Sequence, residues 1–400
     1  MPGRRILIIT NRIPYPLKDG GNMAMNAMIQ GYHNAGWQVF LLSMNTTRHY
    51  VPPGELKGLF ANIHAFEWLK IDNDLKPAGI LKNFLFSTQP EHAVRFYKQE
   101  FEDRIIDIIA TFKPEVIQME SVYLASYLPA IQSKTDAITV LRLHNVEYQI
   151  WHSLAKKAKG LKKVYLGKLT GRIRNFEREA WTSVDLLLPI TEKDASLVLR
   201  LEEVNDMVVA PFSIDLANIK PGSNERWVGY HIGAMDWLPN QEGIRWFLEK
   251  AWKRIHKSVP SFEFYFAGRN MPEQFKKLSF TGVYCLDEVP SAEDFIADKK
   301  ILIVPLWASG GIRVKILEAM AAEKVVIATR QAIKGIEARA GEHYLQASNA
   351  DEFERAVKWC IDNKPAAEKM ARSARKLIEE KYEDGVVMKR VMEEIEGLLG

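Results

Sequence analysis

Two cations and a carboxylate follow a glycine pair in the stretch between residues 301 and 329. Gly310 and Gly311 precede Arg313, Lys315 and Glu318. A glycine loop that opens a helix directs free backbone N–H groups towards one point, at the positive end of the helix dipole. That geometry suits a phosphate or diphosphate, to which the two cations would add charge, and the carboxylate could accept a hydrogen bond from a sugar hydroxyl. The spacing fits an ordinary buried strand–loop–helix unit equally well.

Apolar runs on both sides of this loop predict the elements that would position it. Ile301–Leu306 and Val325–Thr329 are short enough to be strands buried on both faces, and Ile312–Ala322 is rich in helix-forming residues. The same alternation of apolar strands and amphipathic helices covers almost the whole chain, which predicts an α/β fold with parallel sheets.

The alternation is interrupted once, by a polar segment at residues 211–226 with two prolines and a glycine, which we interpret as an interdomain linker. The chain therefore divides into two α/β domains of similar length. Open α/β sheets bind ligands at the carboxyl ends of their strands, so the sequence predicts a ligand cleft between the domains. The other predicted elements include strands at Arg5–Thr10, Gln38–Ser43, Glu115–Glu120, Ile138–Leu143 and Trp227–Ile232, and helices at Asn22–Asn34, capped by Asn22, at Trp151–Trp181 and at Gly385–Leu399.

Composition excludes several classes of function. The 400 residues carry a formal net charge of +4, which does not indicate a nucleic-acid-binding protein. The sequence contains no run of eighteen or more apolar residues, so it predicts no membrane span. The cysteines, Cys285 and Cys360, are far apart, and the nine histidines form no ligand pair, so we expect no disulfide framework and no metal site. We expect a cytoplasmic protein.

Four segments together resemble one family. They are Gly310–Thr329 (GGIRVKILEAMAAEKVVIAT), Tyr15–Asn22 (YPLKDGGN), His144–Glu147 (HNVE) and Tyr230–Gly243 (YHIGAMDWLPNQEG). The set resembles the GT-B glycosyltransferases, and within them the retaining family 4 enzymes that use sugar nucleotides. The resemblance extends over nearly the whole chain, and the Gly-Gly-x-Arg-x-Lys loop is similar to that of the bacterial surface-polysaccharide branch.

The resemblance implies a fold and a reaction. The fold would be two Rossmann-like domains, residues 1–210 plus 384–400 and residues 227–383, with the last helix crossing back to the first domain. The reaction would transfer a hexose from a nucleotide-diphosphate sugar to a hydroxyl of a glycan or lipid-linked acceptor, without a metal or other cofactor.

The resemblance also implies roles for individual residues. Glu318 would hold the nucleotide ribose, while Arg313 and Lys315 would hold the diphosphate. His144 would contact the donor sugar or the reacting centre, whereas a loop histidine bonded to backbone is the alternative. Glu147 would bind the acceptor or brace His144, although it could equally cap the next helix.

The sequence departs from the family at two places. Typical members carry two glutamates separated by seven residues, and Gly310 stands where the first would be. They also carry an arginine and a lysine after the first strand of the second domain, where this chain reads GAMDWLPNQEG without a basic residue. Arg313 and Lys315 are the nearest candidates to replace the missing charge, and Arg269 is another.

Three further positions are donor-site candidates. Gly20 and Gly21, between the first strand and the first helix, would let the backbone approach the donor, or they form a plain turn. Asp236 would contact donor hydroxyls, or it forms a turn.

A basic helical pattern at Lys156–Arg178 has two interpretations as well. Its lysines and arginines alternate with Leu161, Tyr165 and other apolar residues, which suits an anionic membrane surface that presents a lipid-linked acceptor. A solvated helix face is the commoner meaning of such a pattern.

Two rival functions stay open. A sugar-nucleotide epimerase on the same fold would need acid–base carboxylates and no acceptor. A catalytically inactive protein that binds a nucleotide sugar or a partner transferase is the second rival, and Gly310 is its main support. A dinucleotide-dependent oxidoreductase is less well supported, since no GxGxxG follows the first strand.

Overall fold

A computed structural model of the protein describes residues 3–17, 20–74, 83, 87–222, 226–307 and 312–400. The chain divides into two compact units: the first contains residues 1–211 and 387–400, and the second contains residues 212–386. The segment that the sequence analysis assigned to a linker begins as part of the second unit. Phe212, Ser213 and Ile214 are buried there, and Ile214 pairs with Glu383.

The first unit is built on a seven-stranded sheet in which every pairing is parallel. Its strand order is β3-β2-β1-β4-β5-β6-β7, a doubly wound arrangement that starts from a central β1. The sequences of the central strands are continuous apolar runs because helices cover both faces of the sheet. The strands are β1 Arg5–Thr10, β2 Gln38–Thr46, β3 Ala65–Ile71, β4 Val116–Met119, β5 Ile138–Leu143, β6 Leu186–Pro189 and β7 Asp206–Met207.

Helices connect these strands. The α-helices are α1 Gly20–Asn34, α2 Pro53–Leu56, α3 Glu91–Phe96, α4 Gln99–Phe112, α5 Leu128–Gln132, α6 Glu147–Lys157, α7 Gly160–Ser183 and α8 Glu192–Val198, and 3₁₀ turns lie at Thr47–His49 and Val122–Tyr127.

The second unit has a six-stranded parallel sheet of order β10-β9-β8-β11-β12-β13. Its strands are β8 Arg226–Ile232, β9 Phe264–Ala267, β10 Val283–Cys285, β11 Lys299–Val304, β12 Val325–Ala328 and β13 Leu345–Gln346. Its helical segments are a 3₁₀ turn at Leu216–Asn218, α9 Leu238–Trp246, a π-helical turn Phe247–Trp252, α10 Lys253–Ser258, α11 Glu273–Lys276, α12 Ala292–Ala297, α13 Val314–Ala321, α14 Ala350–Asp362 and α15 Lys364–Lys381.

The last helix, α16 Asp384–Leu399, begins in the second unit and packs in the first from Val387 onwards. Val387, Val391 and Ile395 join the same buried cluster as Ile6 and Ile8 of β1. This connection confirms that the final helix returns to the first domain. The fold is therefore two parallel-sheet α/β domains, as the sequence predicted.

Three local predictions are wrong. Gly20 and Gly21 belong to α1 rather than to a loop, and Asn22 lies inside that helix, where its Nδ2 donates to the carbonyl of Pro16 at 2.9 Å instead of capping. The long basic helix is two helices, because the chain turns at Gly160, whose φ of +58° suits glycine. The helix after the glycine loop begins at Val314, two residues after the predicted start at Ile312.

Within the described ranges, none of the helices combines the length and the apolar character that a bilayer crossing requires.

Candidate functional site

The ammonium of Lys315 lies beside the loop that follows β8. Its Nζ is 3.2 Å from Nε2 of His231, the penultimate residue of β8, and 3.3 Å from Oδ1 of Asn240 in α9. Nδ2 of Asn240 donates to the carbonyl of Ala234 at 2.8 Å, which fixes the amide so that its oxygen faces the lysine. Lys315, although on α13, thus places its charge at the carboxyl end of β8.

His231 accepts from this lysine as a neutral imidazole. Its side chain is buried, and Nδ1 lies 2.8 Å from the carbonyl oxygen of Ile303 in β11. A carbonyl can only accept, so Nδ1 carries the proton and the lone pair on Nε2 faces Lys315. Burial lowers the pKa of His231 well below its ordinary value, and the charge of Lys315 lowers it further.

The environment of Lys315 also disfavours its own charge. Burial lowers the pKa of Lys315 from 10.5 to about 7, the nearby charge of Arg313 acts in the same direction, and Glu318 opposes it. A bound anion would reverse this shift, because an opposite charge at short range favours the ammonium form.

Arg313 is held against the same loop. Its guanidinium lies 4.9 Å from the ring centre of Trp237, immediately before α9, and burial lowers the pKa of that guanidinium. The contact between a guanidinium and the face of an aromatic ring is attractive and holds the cation in place. Arg313, directly before α13, and Lys315, in the first turn of α13, therefore converge on residues 231–240.

Glycines make room for this arrangement. A Cβ on Gly233 would come within 2.7 Å of Nζ of Lys315 and 2.9 Å of Nδ2 of Asn240. A Cβ on Gly268, which follows β9, would overlap the carbonyl oxygen of Gly233. The loops after β8 and β9 can approach each other, and the lysine can enter, only because both positions lack a side chain.

Two other donor-site candidates, Asp236 and Arg269, lie on these neighbouring loops. The N–H of Met235 donates to the carbonyl of Arg269 at 2.7 Å, and Oδ2 of Asp236 accepts from Asn270 at 2.9 Å. Glu318, on α13, is partly buried, and burial raises its pKa while Lys315 acts against that increase. Gly310 and Gly311 lie outside the described residues.

A pocket of about 310 Å³ lies at the carboxyl ends of the strands in the first unit. Gly21, His144 and Glu147 line it, as do Arg12 and Arg95, which the sequence analysis did not single out. Gly20 is in the same first turn of α1. The predicted residues of the first unit therefore gather around one concave surface.

His144 is tied to a buried carboxylate in this pocket. Its Nε2 lies 2.8 Å from Oε2 of Glu120, which has no exposed side-chain surface. Arg142 lies 3.5 Å from the same oxygen, and Gln118 donates to Oε1 at 2.5 Å. Burial acts to raise the pKa of Glu120, but Arg142 and His144 outweigh it and hold that pKa below its usual value.

Glu147 is the first residue of α6 and is braced from two sides. Its Oε2 accepts a hydrogen bond from the hydroxyl of Tyr123 at 3.0 Å, and its backbone N–H donates to Glu177 at 2.7 Å. Burial raises the pKa of Glu147. Glu177, rather than Glu147, satisfies the free N–H groups at the start of this helix, so the capping interpretation of Glu147 is wrong.

Four further residues of these sites, His231, Asn240, Glu120 and Arg142, were not predicted from the sequence. Glu120 directly follows β4, His231 and Arg142 are the penultimate residues of β8 and β5, and Asn240 is in the first turn of α9, and these positions were the available signal. The contact between the side chains could not be predicted, because Lys315 and His231 are 84 residues apart in the chain.

Comparison with known proteins agrees with this architecture. Residues 228–363 match the family described as "Glycosyl transferases group 1". A search of curated proteins found no match.

Solved structures with the same fold cover the chain from end to end. Sucrose-phosphate synthase from Thermosynechococcus elongatus is similar with a TM-score of 0.68 and 13% identity, over 99% of both chains. Anabaena Alr3699/HepE, solved in complex with UDP, has a TM-score of 0.67 and 12% identity over 98% of this chain and 100% of that one. TarM has a TM-score of 0.66 and 9% identity over 98% of each chain.

The two units thus have the fold of the GT-B glycosyltransferases, and the unit that holds Lys315, Arg313 and Glu318 contains the segment that matches the group 1 glycosyltransferases.

Proposed function

We propose that the protein is a retaining glycosyltransferase that moves a hexose from a nucleotide-diphosphate sugar to a hydroxyl of a glycan or lipid-linked acceptor, in the assembly of a surface polysaccharide. One observation carries the proposal: Lys315 and Arg313 reach residues 231–240, the loop in which related transferases carry their basic residues. Arg313, directly before α13, and Lys315, on α13, would supply the charge absent from the sequence of that loop.

The chemistry follows from those charges. When the bond between the sugar and the diphosphate breaks, negative charge accumulates on the leaving phosphate, and two cations held in place before the reaction stabilise it. Glu318 would accept hydrogen bonds from the ribose hydroxyls. No metal or other cofactor is part of the proposal, because Lys315 and Arg313 take the role that a cation would have.

The acceptor side rests on the pocket of the first unit. His144, held by Glu120, would bind a hydroxyl of the sugar or of the acceptor, and Glu147 would bind the acceptor. Retention without a carboxylate nucleophile would proceed by attack from the face that the leaving group departs from, with the phosphate taking the acceptor proton. This step is proposed by analogy with the family.

UDP-sugars are the first donors to test, since the structures of HepE were solved with UDP and UDP-glucose. Thermal unfolding of the protein with UDP-, GDP- and ADP-sugars should identify one series that raises the midpoint, because a ligand specific for the native state stabilises it. Turnover of that sugar with a panel of acceptors is then compared between the wild type and Glu318→Ala.

Glu342→Ala, on the surface of the same unit, is the matched control. The proposal requires that Glu318→Ala loses at least about tenfold in kcat/KM, the loss expected from one hydrogen bond to a charged group, while Glu342→Ala does not. Wild-type turnover in Glu318→Ala would refute the assignment.

A catalytically inactive binding protein is the second candidate, and Gly310 in place of the first family glutamate favours it. Tight donor binding without turnover of any acceptor would support this candidate.

We further propose contact between the hairpin of α6 and α7 and an anionic membrane surface. At the turn, Leu161 is 89% exposed and Val164 is 65% exposed, and Leu154 is also exposed. Exposed lysines surround these apolar side chains, namely Lys156, Lys157, Lys159, Lys162, Lys163 and Lys168. Apolar side chains among lysines suit the headgroup region, where the protein would work at the cytoplasmic face.

A further inference from the structure

The packing of the sheet does not require the contact between His231 and Lys315. A buried strand position next to β11 suits an apolar residue, as at Val228 and Tyr230 of the same strand. The histidine at this position is buried, and it contacts a partly buried lysine whose charge it cannot neutralise. This combination costs free energy, because the ammonium loses water and gains no counter-charge from the imidazole.

Towards Lys315, the His231 ring can act only as a hydrogen-bond acceptor. Its Nδ1–H is engaged by the carbonyl of Ile303 at 2.8 Å, so the ring cannot turn and its tautomer is fixed. The only remaining ring function is the lone pair on Nε2, 3.2 Å from Nζ of Lys315. Oδ1 of Asn240 is the second acceptor, at 3.3 Å.

An ammonium has three N–H donors, and these two acceptors engage two of them. Among the residues that the structure describes, the groups that face Lys315 are His231 from β8, Asn240 from α9, and Arg313 and Glu318 from its own segment. Neutral acceptors hold the ammonium without cancelling its charge, so the third N–H keeps its full attraction for an anion. A carboxylate in place of His231 would bind the lysine more tightly and would compete with the ligand.

We propose that His231 is a positioning residue that holds the Lys315 ammonium, through Nε2, in the orientation that contacts the diphosphate of the donor. The inference rests on the proposed function for the identity of the ligand, and on the geometry alone for the pairing of the two side chains. His231 itself would touch neither the donor nor the acceptor.

Two substitutions test the roles of the two ring nitrogens of His231 separately. His231→Asn keeps a donor near the position of Nδ1, for the carbonyl of Ile303, but is too short to reach Lys315. His231→Gln can place its amide oxygen near the position of Nε2 and so keeps an acceptor for the lysine. UDP affinity is measured by calorimetry for the wild type, for both variants, for Lys315→Met and for the double variant His231→Asn/Lys315→Met.

We expect His231→Asn to bind UDP about tenfold more weakly, the loss typical of a hydrogen bond to a charged group, and His231→Gln to recover most of that loss. In the Lys315→Met background, His231→Asn should have no further effect, because the residue acts only through the lysine. An equal loss from His231→Asn in both backgrounds would overturn the inference, since it would indicate a general structural role.

A second measurement does not depend on UDP. In protein labelled with ¹³C at lysine Cε, the signal that disappears in Lys315→Met reports the titration of Lys315. The pKa of Lys315 should fall in His231→Asn, because a hydrogen bond that favours the charged form is lost, and should recover in His231→Gln. An unchanged titration in His231→Asn would overturn the pairing. If the wild type fails to bind UDP while the titration behaves as expected, the proposed donor fails and the pairing stands.

Discussion

The carboxylate of Glu120 connects Arg142 to His144 inside the first unit, with Oε2 of Glu120 2.8 Å from Nε2 of His144 and 3.5 Å from the guanidinium. The side chains of Glu120 and Arg142 are 0% and 1% exposed. Because neither charge can reach water, each depends on the other, and His144 depends on both for its orientation.

Glu120→Gln should therefore destabilise the protein, because it leaves the charge of Arg142 buried without its partner. We expect a loss of about 3 kcal/mol in the free energy of unfolding, measured by urea denaturation. Glu115→Gln is the control, since Glu115 pairs with Arg4 at 2.8 Å but both are about one-third exposed, and surface pairs are worth less than about 1 kcal/mol. Similar losses in the two variants would contradict the dependence of Arg142 on Glu120.

Alanine at the two loop glycines should separate effects on the site from effects on the fold. In Gly233→Ala the new methyl group meets the ends of two side chains, Lys315 and Asn240, which can move away, so nucleotide affinity should fall while stability changes by less than about 1 kcal/mol. In Gly268→Ala the methyl group meets the backbone of Gly233, which cannot move away, so stability itself should fall. Thermal unfolding with and without UDP measures both quantities. A stability loss in Gly233→Ala as large as that in Gly268→Ala would show that the lysine is not the side chain that gives way.

Stability should rise with pH through the titration of Lys315. The pKa of this lysine is about 7 in the folded protein and 10.5 in ordinary solution. Between those values the unfolded chain binds a proton that the folded protein does not, so the free energy of unfolding increases with pH, by at most about 1.4 kcal/mol per pH unit. Urea denaturation of the wild type and Lys315→Met at pH 7, 8 and 9 tests the sign. The difference in stability, wild type minus variant, should grow with pH, and a constant difference would contradict the lowered pKa.

The hairpin of α6 and α7 should bind vesicles according to their charge. The wild type should sediment with vesicles of phosphatidylglycerol and phosphatidylcholine, but not with phosphatidylcholine alone, and added salt should release it. The double variant Leu161→Ser/Val164→Ser should lose most of this binding. Leu199→Ser is the control, because Leu199 is 60% exposed but lies elsewhere on the same unit. Binding that survives in the double variant would assign the contact to another surface.

The general architecture could be predicted because strands buried on both faces leave a strong signal. The apolar runs at Arg5–Thr10 and Ile138–Leu143 correspond to β1 and β5 residue for residue. The return of the last helix followed from the family resemblance rather than from periodicity. The break at Gly160 was not predicted, because the helical periodicity of the apolar residues continues on both sides of it.

The candidate site could be predicted only in part. Arg313, Lys315 and Glu318 share one short segment, so their spacing could be read directly. His231 and Glu120 could not be found in that way, because each acquires its role from a partner on another strand or helix. A single histidine inside the apolar run of β8, and a glutamate directly after β4, carry no local sign of the side chain they will meet.

The return of α16 to the first unit sets an order for folding during synthesis. The buried cluster around Ile6 and Ile8 is completed by Val387, Val391 and Ile395, which leave the ribosome after the entire second unit. Part of the hydrophobic surface of the first unit therefore stays exposed while the second unit is synthesised. A nascent chain arrested before residue 387 should for this reason be a substrate for chaperones.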